Sequence, residues 1–222
     1  MKLSLLSIEG NRAYEKQNDI LPIRAQTHYL TEQFLYYLSK IDLDGSGKLV
    51  ICFEEKPEDH EQYICDTYFH VSLYYVDRDV LERFRTVQQD NMSEYFLDII
   101  VDVCKNIAHS RHRDEAVIRR IEEAADQMRA NQYELVIPQK RLSKTSDDRR
   151  WRAKVYRRLD PHGELWYAEL EDKRTKNVVR HELTEKYTSV SLVDFYKKAA
   201  WEGDRFVLRD RLDRETFSLP YP

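Results

Sequence analysis

The sequence predicts an α+β protein, with helices packed on an antiparallel hairpin in the N-terminal part and a three-stranded antiparallel meander plus one helix in the C-terminal part. Three observations point there. Apolar residues recur at helical spacing in several stretches between residues 27 and 130. A period of two marks 49–53 and 69–75. After Trp151 the alternation resumes and is interrupted by two turn signals, so strands there pair with their neighbours in sequence. The chain is thus expected to divide into an acidic α+β domain, 1–138, and a β-meander plus helix domain, 151–222. The polar stretch 139–150 reads as a linker or mobile loop.

The first helix is expected near 27–41, where Leu30, Phe34, Tyr37, Leu38 and Ile41 form one apolar face. The glycines of Asp44-Gly45-Ser46-Gly47 should stop it. Leu49, Ile51 and Phe53 then read as a strand, as do Phe69, Val71, Leu73 and Tyr75. The acidic loop Glu54–Glu61 between them would close an antiparallel hairpin. Helices follow at 79–88, at 93–108 through Phe96, Ile99, Ile100, Val103 and Ile107, and at 113–130 through Val117, Ile121, Ala124 and Met128. The last has a narrow apolar seam and belongs on the outside of the domain. Tyr133–Ile137 reads as a short strand ended by Pro138.

In the C-terminal part, Asp160-Pro161-His162-Gly163 is a turn. Closing a hairpin there sets Arg158 opposite Leu165, Tyr156 opposite Tyr167, Lys154 opposite Glu169 and Arg152 opposite Glu171. Val155 with Ala168, and Ala153 with Leu170, then share the other face. One register thus gives charge pairs outside and apolar pairs inside. A second turn near Lys173–Lys176 sets Glu169 opposite Arg180, Leu170 opposite Val179 and Trp166 opposite Leu183. Ser191-Leu192-Val193-Asp194 resembles a helix capping box with Asp in the Glu position. A helix starting there would lay Leu192, Phe195, Tyr196 and Ala199 on the meander. Arg205–Arg209 reads as a further strand.

A chain of 222 residues that is 41% hydrophobic has enough apolar surface for a real core, and 34% charged residues make its surface densely charged. Its 15 tyrosines suit half-buried surfaces and interfaces. Cys52, Cys65 and Cys104 are odd in number and widely spaced, which argues against a secreted disulfide framework. The N-terminal apolar stretch is too short for a signal peptide, and no apolar run approaches the roughly 18 residues of a membrane span. The expected compartment is the cytoplasm, with no membrane partner. The net charge of −4 hides an asymmetry. Residues 1–138 hold 16 basic against 25 acidic side chains, a balance of −9; residues 139–222 hold 20 against 15, a balance of +5.

Asp42-Leu43-Asp44-Gly45-Ser46-Gly47-Lys48-Leu49 follows an amphipathic helix and resembles the calcium loop of the EF-hand family. The resemblance implies Asp42, Asp44 and Ser46 as ligands. The twelfth position, which should hold a bidentate Glu, is Phe53, and the exit reads as strand. His112-Arg113-Asp114 looks like the catalytic-loop triplet of protein kinases, but Arg119 stands where that loop needs Asn, and no glycine-rich phosphate loop accompanies it. Cys104, His109 and His112 offer metal-ligand types without paired-cysteine spacing. No nucleophile elbow occurs, and the cysteines lie in apolar strands or helices. No catalytic residue, metal site or cofactor is therefore assigned.

Two charged stretches remain. Lys140 to Arg158 holds nine basic and two acidic residues with Trp151 and Tyr156 interleaved, as a nucleic-acid face would. With Arg152 and Lys154 opposite glutamates, only Lys140, Arg141, Lys144, Arg149 and Arg150 are expected to be free for nucleic acid. Glu54 to Glu61 packs five carboxylates and one lysine into eight residues. Glu54, Glu55, Glu58, Asp59, Glu61, Tyr63, Asp66 and Tyr68 are the expected partner-binding set, because carboxylates speed encounter with a basic protein and tyrosines anchor it. The leading expectation is a non-enzymatic protein-binding protein, in concrete form an immunity or antitoxin-type inhibitor that caps a basic toxin enzyme. The alternatives are a nucleic-acid-associated protein using 140–158, and an enzyme with a site assembled from His109, His112 and Asp114.

Overall fold

The structure is a computed structural model, and it describes residues 1–11, 15–16, 22–84, 86–112, 115–185, 187–188 and 191–220. The architecture is α+β. The chain forms two compact units, Met1–Glu134 and Leu135–Pro222. No helix among the described residues is long and apolar enough to cross a membrane.

The first unit holds a four-stranded sheet of β1 (Leu5–Gly10), β2 (Lys48–Phe53), β3 (Tyr63–Asp66) and β4 (Val71–Tyr75), in the order β1-β2-β4-β3. Helices α1 (Ile23–Leu38), α2 (Arg78–Phe84), α3 (Met92–Ser110) and α4 (Glu115–Ala130) complete it. The expected hairpin between 49–53 and 69–75 is corrected here. β2 pairs with both β1 and β4 in parallel, and the antiparallel partner of β4 is the short strand β3. The physical reason lies in the run Leu49-Val50-Ile51-Cys52-Phe53, which is buried on both faces, as a central parallel strand is. Phe53 meets Phe84 of α2 and Phe96 of α3 on one face, while Val50 and Cys52 cluster with Tyr75 on the other.

Helix α1 begins and ends earlier than its apolar stripe suggests. Its first N–H, at Ile23, donates to Glu15 Oε1 at 2.8 Å. Its end is set at Ser39, not at the glycines. Ser39 and Lys40 adopt left-handed φ of 44° and 42°, and Arg120 of α4 donates to the carbonyls of Leu38 and Ser39 at 3.1 and 2.5 Å. Opposite charge at a helix C-terminus is favourable, so a distant residue overrides the local stop signal.

The second unit contains β5 (Leu135–Pro138), β6 (Lys144–Thr145), β7 (Trp151–Asp160), β8 (Gly163–Asp172) and β9 (Val178–Glu182) in one antiparallel sheet. A second sheet holds β10 (Lys198–Glu202), β11 (Arg205–Arg209) and β12 (Glu215–Pro220). The β7–β8–β9 register is the one expected, from Arg158 opposite Leu165 to Leu170 opposite Val179. Gly163 closes the first turn with φ of 124°, and a Cβ there would lie 2.5 Å from the Thr188 carbonyl oxygen. Ala153, Val155, Trp166, Ala168 and Leu170 form the core with Phe206 and Leu208 of β11.

Two expectations change in this unit. Residues 139–150 lie within it: Leu142 is buried in its core, and β6 pairs with Arg152 and Ala153. The expected helix after Ser191 is a turn followed by β10. Leu192, Tyr196 and Ala199 still reach the core, but Phe195 is exposed. Pairing of β10 with β11, through a turn at Gly203, outweighs the local capping signal. All described helices lie in the first unit, and Trp151, Trp166 and Trp201, the chain's three tryptophans, lie in the second.

Candidate functional site

The acidic loop leaves the sheet at the carboxyl end of β2. Phe53 is fixed by its aromatic neighbours, so Glu54 and Glu55 emerge beside the ends of β1 and β4. The loop is pinned from below. His60 Nδ1 and the Tyr75 hydroxyl are 2.8 Å apart, and Gln62 Nε2 donates to Tyr75 O at 3.1 Å and to Asp77 Oδ1 at 2.6 Å. Burial holds the Tyr75 phenol above its ordinary pKa, so it stays a neutral hydrogen-bonding group. The loop's single cation, Lys56, folds back on the chain and donates to the carbonyls of Pro57 and His60 at 3.2 and 2.6 Å. Glu54, Glu55, Glu58, Asp59 and Glu61 form no ion pair among the described residues, whereas the helices' acids are widely paired, as Glu122 is with Lys105 and Glu94 and Asp98 are with Arg129.

A crevice of about 350 Å³ opens beside Glu54 and Glu55. Ile23, Phe53, Leu81 and Phe84 give it apolar walls, Glu54, Glu55, Glu82 and Arg78 give it a charged rim, and Glu15 also lines it. Glu15 is itself buried, and Arg78 is engaged with Glu82 at 3.1 Å. The crevice sits at the carboxyl ends of β1 and β2, where open sheets with parallel strands present ligand sites. A wider groove of about 600 Å³ is also acidic: Asp77, Asp79, Asp98 and Asp102 line it with Tyr74 and Tyr95. Burial, with Glu94 nearby, raises the Asp98 carboxyl above its ordinary pKa despite Arg129.

The structure does not bring the expected partner-binding set together. Glu54, Glu55, Glu58, Asp59 and Glu61 share the loop at one end of β3, and Tyr68 is at the other end. Four residues of strand separate them, about 13 Å. Tyr68 is 84% exposed and packs edge-on against Phe69, which is 70% exposed. Tyr63 points into the unit, donating to Asp44 Oδ2 at 2.8 Å with Arg111 against its ring. Asp66 is used in the turn, accepting from the N–H groups of Tyr68 and Phe69 at 2.8 and 2.9 Å. The crevice and its Glu15 are not legible in the sequence, because only the parallel pairing of β1 with β2 puts Gly10 beside Phe53.

The calcium-loop likeness resolves into a hydrogen-bonded turn. Asp42 Oδ1 accepts from Gly45 N–H at 2.8 Å. Asp44 accepts from Ser46 N–H and Oγ at 2.9 and 2.6 Å, and from Ser72 Oγ at 2.5 Å. Burial works to raise the Asp44 pKa, but these donors outweigh it and hold the carboxyl below its ordinary value. Phe53, at the twelfth position, is buried. Cys104 is buried, with its thiol pushed up to about 12 by desolvation, while His109 and His112 are exposed. Asp114 lies outside the described residues. Among the described residues, no group of three or more His, Cys, Asp or Glu is placed to hold a metal ion.

The five basic residues assigned to nucleic acid also separate. Arg150 pairs with Asp172 at 2.9 Å and lies over the Trp151 ring, and it holds the Asp172 carboxyl down at about 2. Arg141 and Arg149 are exposed. Lys140 and Lys144 line a hollow that neither of them shares with Arg150. Scans of protein-family models, curated proteins and solved structures each returned no match.

Proposed function

We propose that this chain is a non-enzymatic binding protein whose acidic loop docks on a basic protein partner, in the manner of an immunity or antitoxin-type inhibitor that covers the basic cleft of a toxin enzyme. One observation carries the reading: among the described residues, five loop carboxylates have no ion pair while the lysine among them is spent on backbone carbonyls. Unpaired carboxylates raise the rate of encounter with a basic surface and are neutralised only on docking. The adjacent crevice, apolar in its walls and acidic at its rim, suits the stem and head of an arginine or lysine anchor. Tyr68 and Phe69 stand apart and are not required for this contact. Localisation in the cytoplasm belongs to the same proposal.

The test is affinity capture from the native host at low salt, comparing the wild type with Glu54→Ala/Glu55→Ala/Glu58→Ala/Asp59→Ala. The expected outcome is one basic protein retained by the wild type, released by added salt, and lost from the variant. Capture of the same protein by both forms, or of none by either, overturns the proposal.

A further inference from the structure

The second unit carries a site of the opposite sign, and it stands independently of the acidic loop. Between β5 and β6 the chain turns a corner that is fixed by its own hydrogen bonds. Gln139 N–H donates to Val155 O at 2.7 Å, and Ser143 Oγ donates to Gln139 O at 3.0 Å while accepting from Val155 N–H at 3.1 Å. Leu142 turns into the core and anchors the corner from inside. Lys140 and Lys144 are thereby held at the lip of a hollow of about 350 Å³, with Arg152, Lys154 and Tyr156 of β7 beneath them. Pro138 and the hydroxyl residues Ser143 and Thr145 complete the lining.

Part of this charge is uncompensated. Lys154 is paired with Glu171 at 3.2 Å. Burial, with Glu169 of the neighbouring strand nearby, raises the Tyr156 phenol above its ordinary pKa. Lys140 and Lys144 have no ion pair among the described residues, and Arg152, opposite Glu171 in the strand pairing, lies in that carboxylate's field without a direct ion pair. Like charges around one hollow repel each other, and an anion with several acceptor oxygens relieves that repulsion at once. Ammonium and guanidinium donors with the Thr145 hydroxyl nearby match a phosphate group. The aromatic ladder beside the hollow is already closed, which disfavours recognition by base stacking. Tyr156 stacks on Tyr167 at 5.0 Å and 19°, and Arg180 covers Tyr167 at 3.8 Å.

We infer that the corner between β5 and β6 binds a phosphate group through Lys140, Lys144 and Arg152. The phosphate belongs either to a free phosphate or to the backbone of a nucleic acid, and the test separates the two. Backbone-amide NMR of the full chain is titrated with sodium phosphate and, separately, with a short single-stranded DNA at low salt. Saturable shifts at residues 140–145 with phosphate assign a free phosphate; shifts there with DNA alone assign a phosphodiester. In either case Lys144→Gln/Arg152→Gln weakens binding by roughly tenfold or more. Lys144→Arg retains binding, and the control Lys173→Gln/Arg174→Gln, in the β8–β9 turn, leaves it unchanged. Absence of shifts with both probes, or equal weakening by the control, overturns the inference.

Discussion

Asp44 shows how a residue can look like a ligand and serve as a strut. Both of its carboxylate oxygens are engaged, one with Ser46 and the other with Ser72 and Tyr63. It ties the turn before β2 to β3 and β4. The types and spacing of Asp42, Asp44 and Ser46 were legible in the sequence. Their partners were not, because Tyr63 and Ser72 are brought in by sheet pairing. Asp44→Asn keeps the size but sets an amide against hydroxyl donors, at a cost of about 1–3 kcal/mol in urea unfolding near neutral pH. The native carboxyl titrates below the ordinary value of 3.8, so its stabilising effect is complete above that pH and is lost as pH falls through the native pKa. Wild-type and variant stabilities therefore converge on acidification. A difference that stays constant down to the native pKa contradicts this assignment.

At the scale of elements, the sequence was readable where pairing is local. Turns at Asp160–Gly163 and Lys173–Lys176 join neighbouring strands, so alternation alone set the β7–β8–β9 register. It was unreadable where partners are remote. β1 pairs with β2 across α1, and β4 inserts between β2 and β3. No local rule orders such strands, and the both-faces burial of β2 was the available clue. The segment after Ser191 is illegible for a related reason. It is held by Glu164 of β8, which is fully buried and accepts from Leu192 N–H at 2.8 Å, Trp166 Nε1 at 2.5 Å and Arg157 Nη2 at 2.6 Å. Glu164→Gln leaves the buried Arg157 charge without its carboxylate, and about 3–5 kcal/mol of stability is lost. Thermal unfolding followed by tryptophan emission measures this directly. A loss below about 1 kcal/mol shows that the β7–β8 hairpin and the 191–192 segment do not depend on the pair.

For the molecule as a whole, charge is divided along the same boundary as structure. Met1–Glu134 carries the balance of −9 and Leu135–Pro222 the balance of +5, since residues 135–138 are uncharged. The first unit has one sheet and the second has two, and each unit has its own buried cluster. Because the helices and the indoles fall on opposite sides of that boundary, the chain comes with two colours of intrinsic signal. Circular dichroism in the helical band follows the first unit, and emission excited at the red edge of the indole band follows the second. A denaturant titration read both ways shows whether the units melt together, and we expect two separate midpoints; coincident curves mean one cooperative block. The same pair of channels tells which end of the chain a bound molecule has stiffened, without any label being attached.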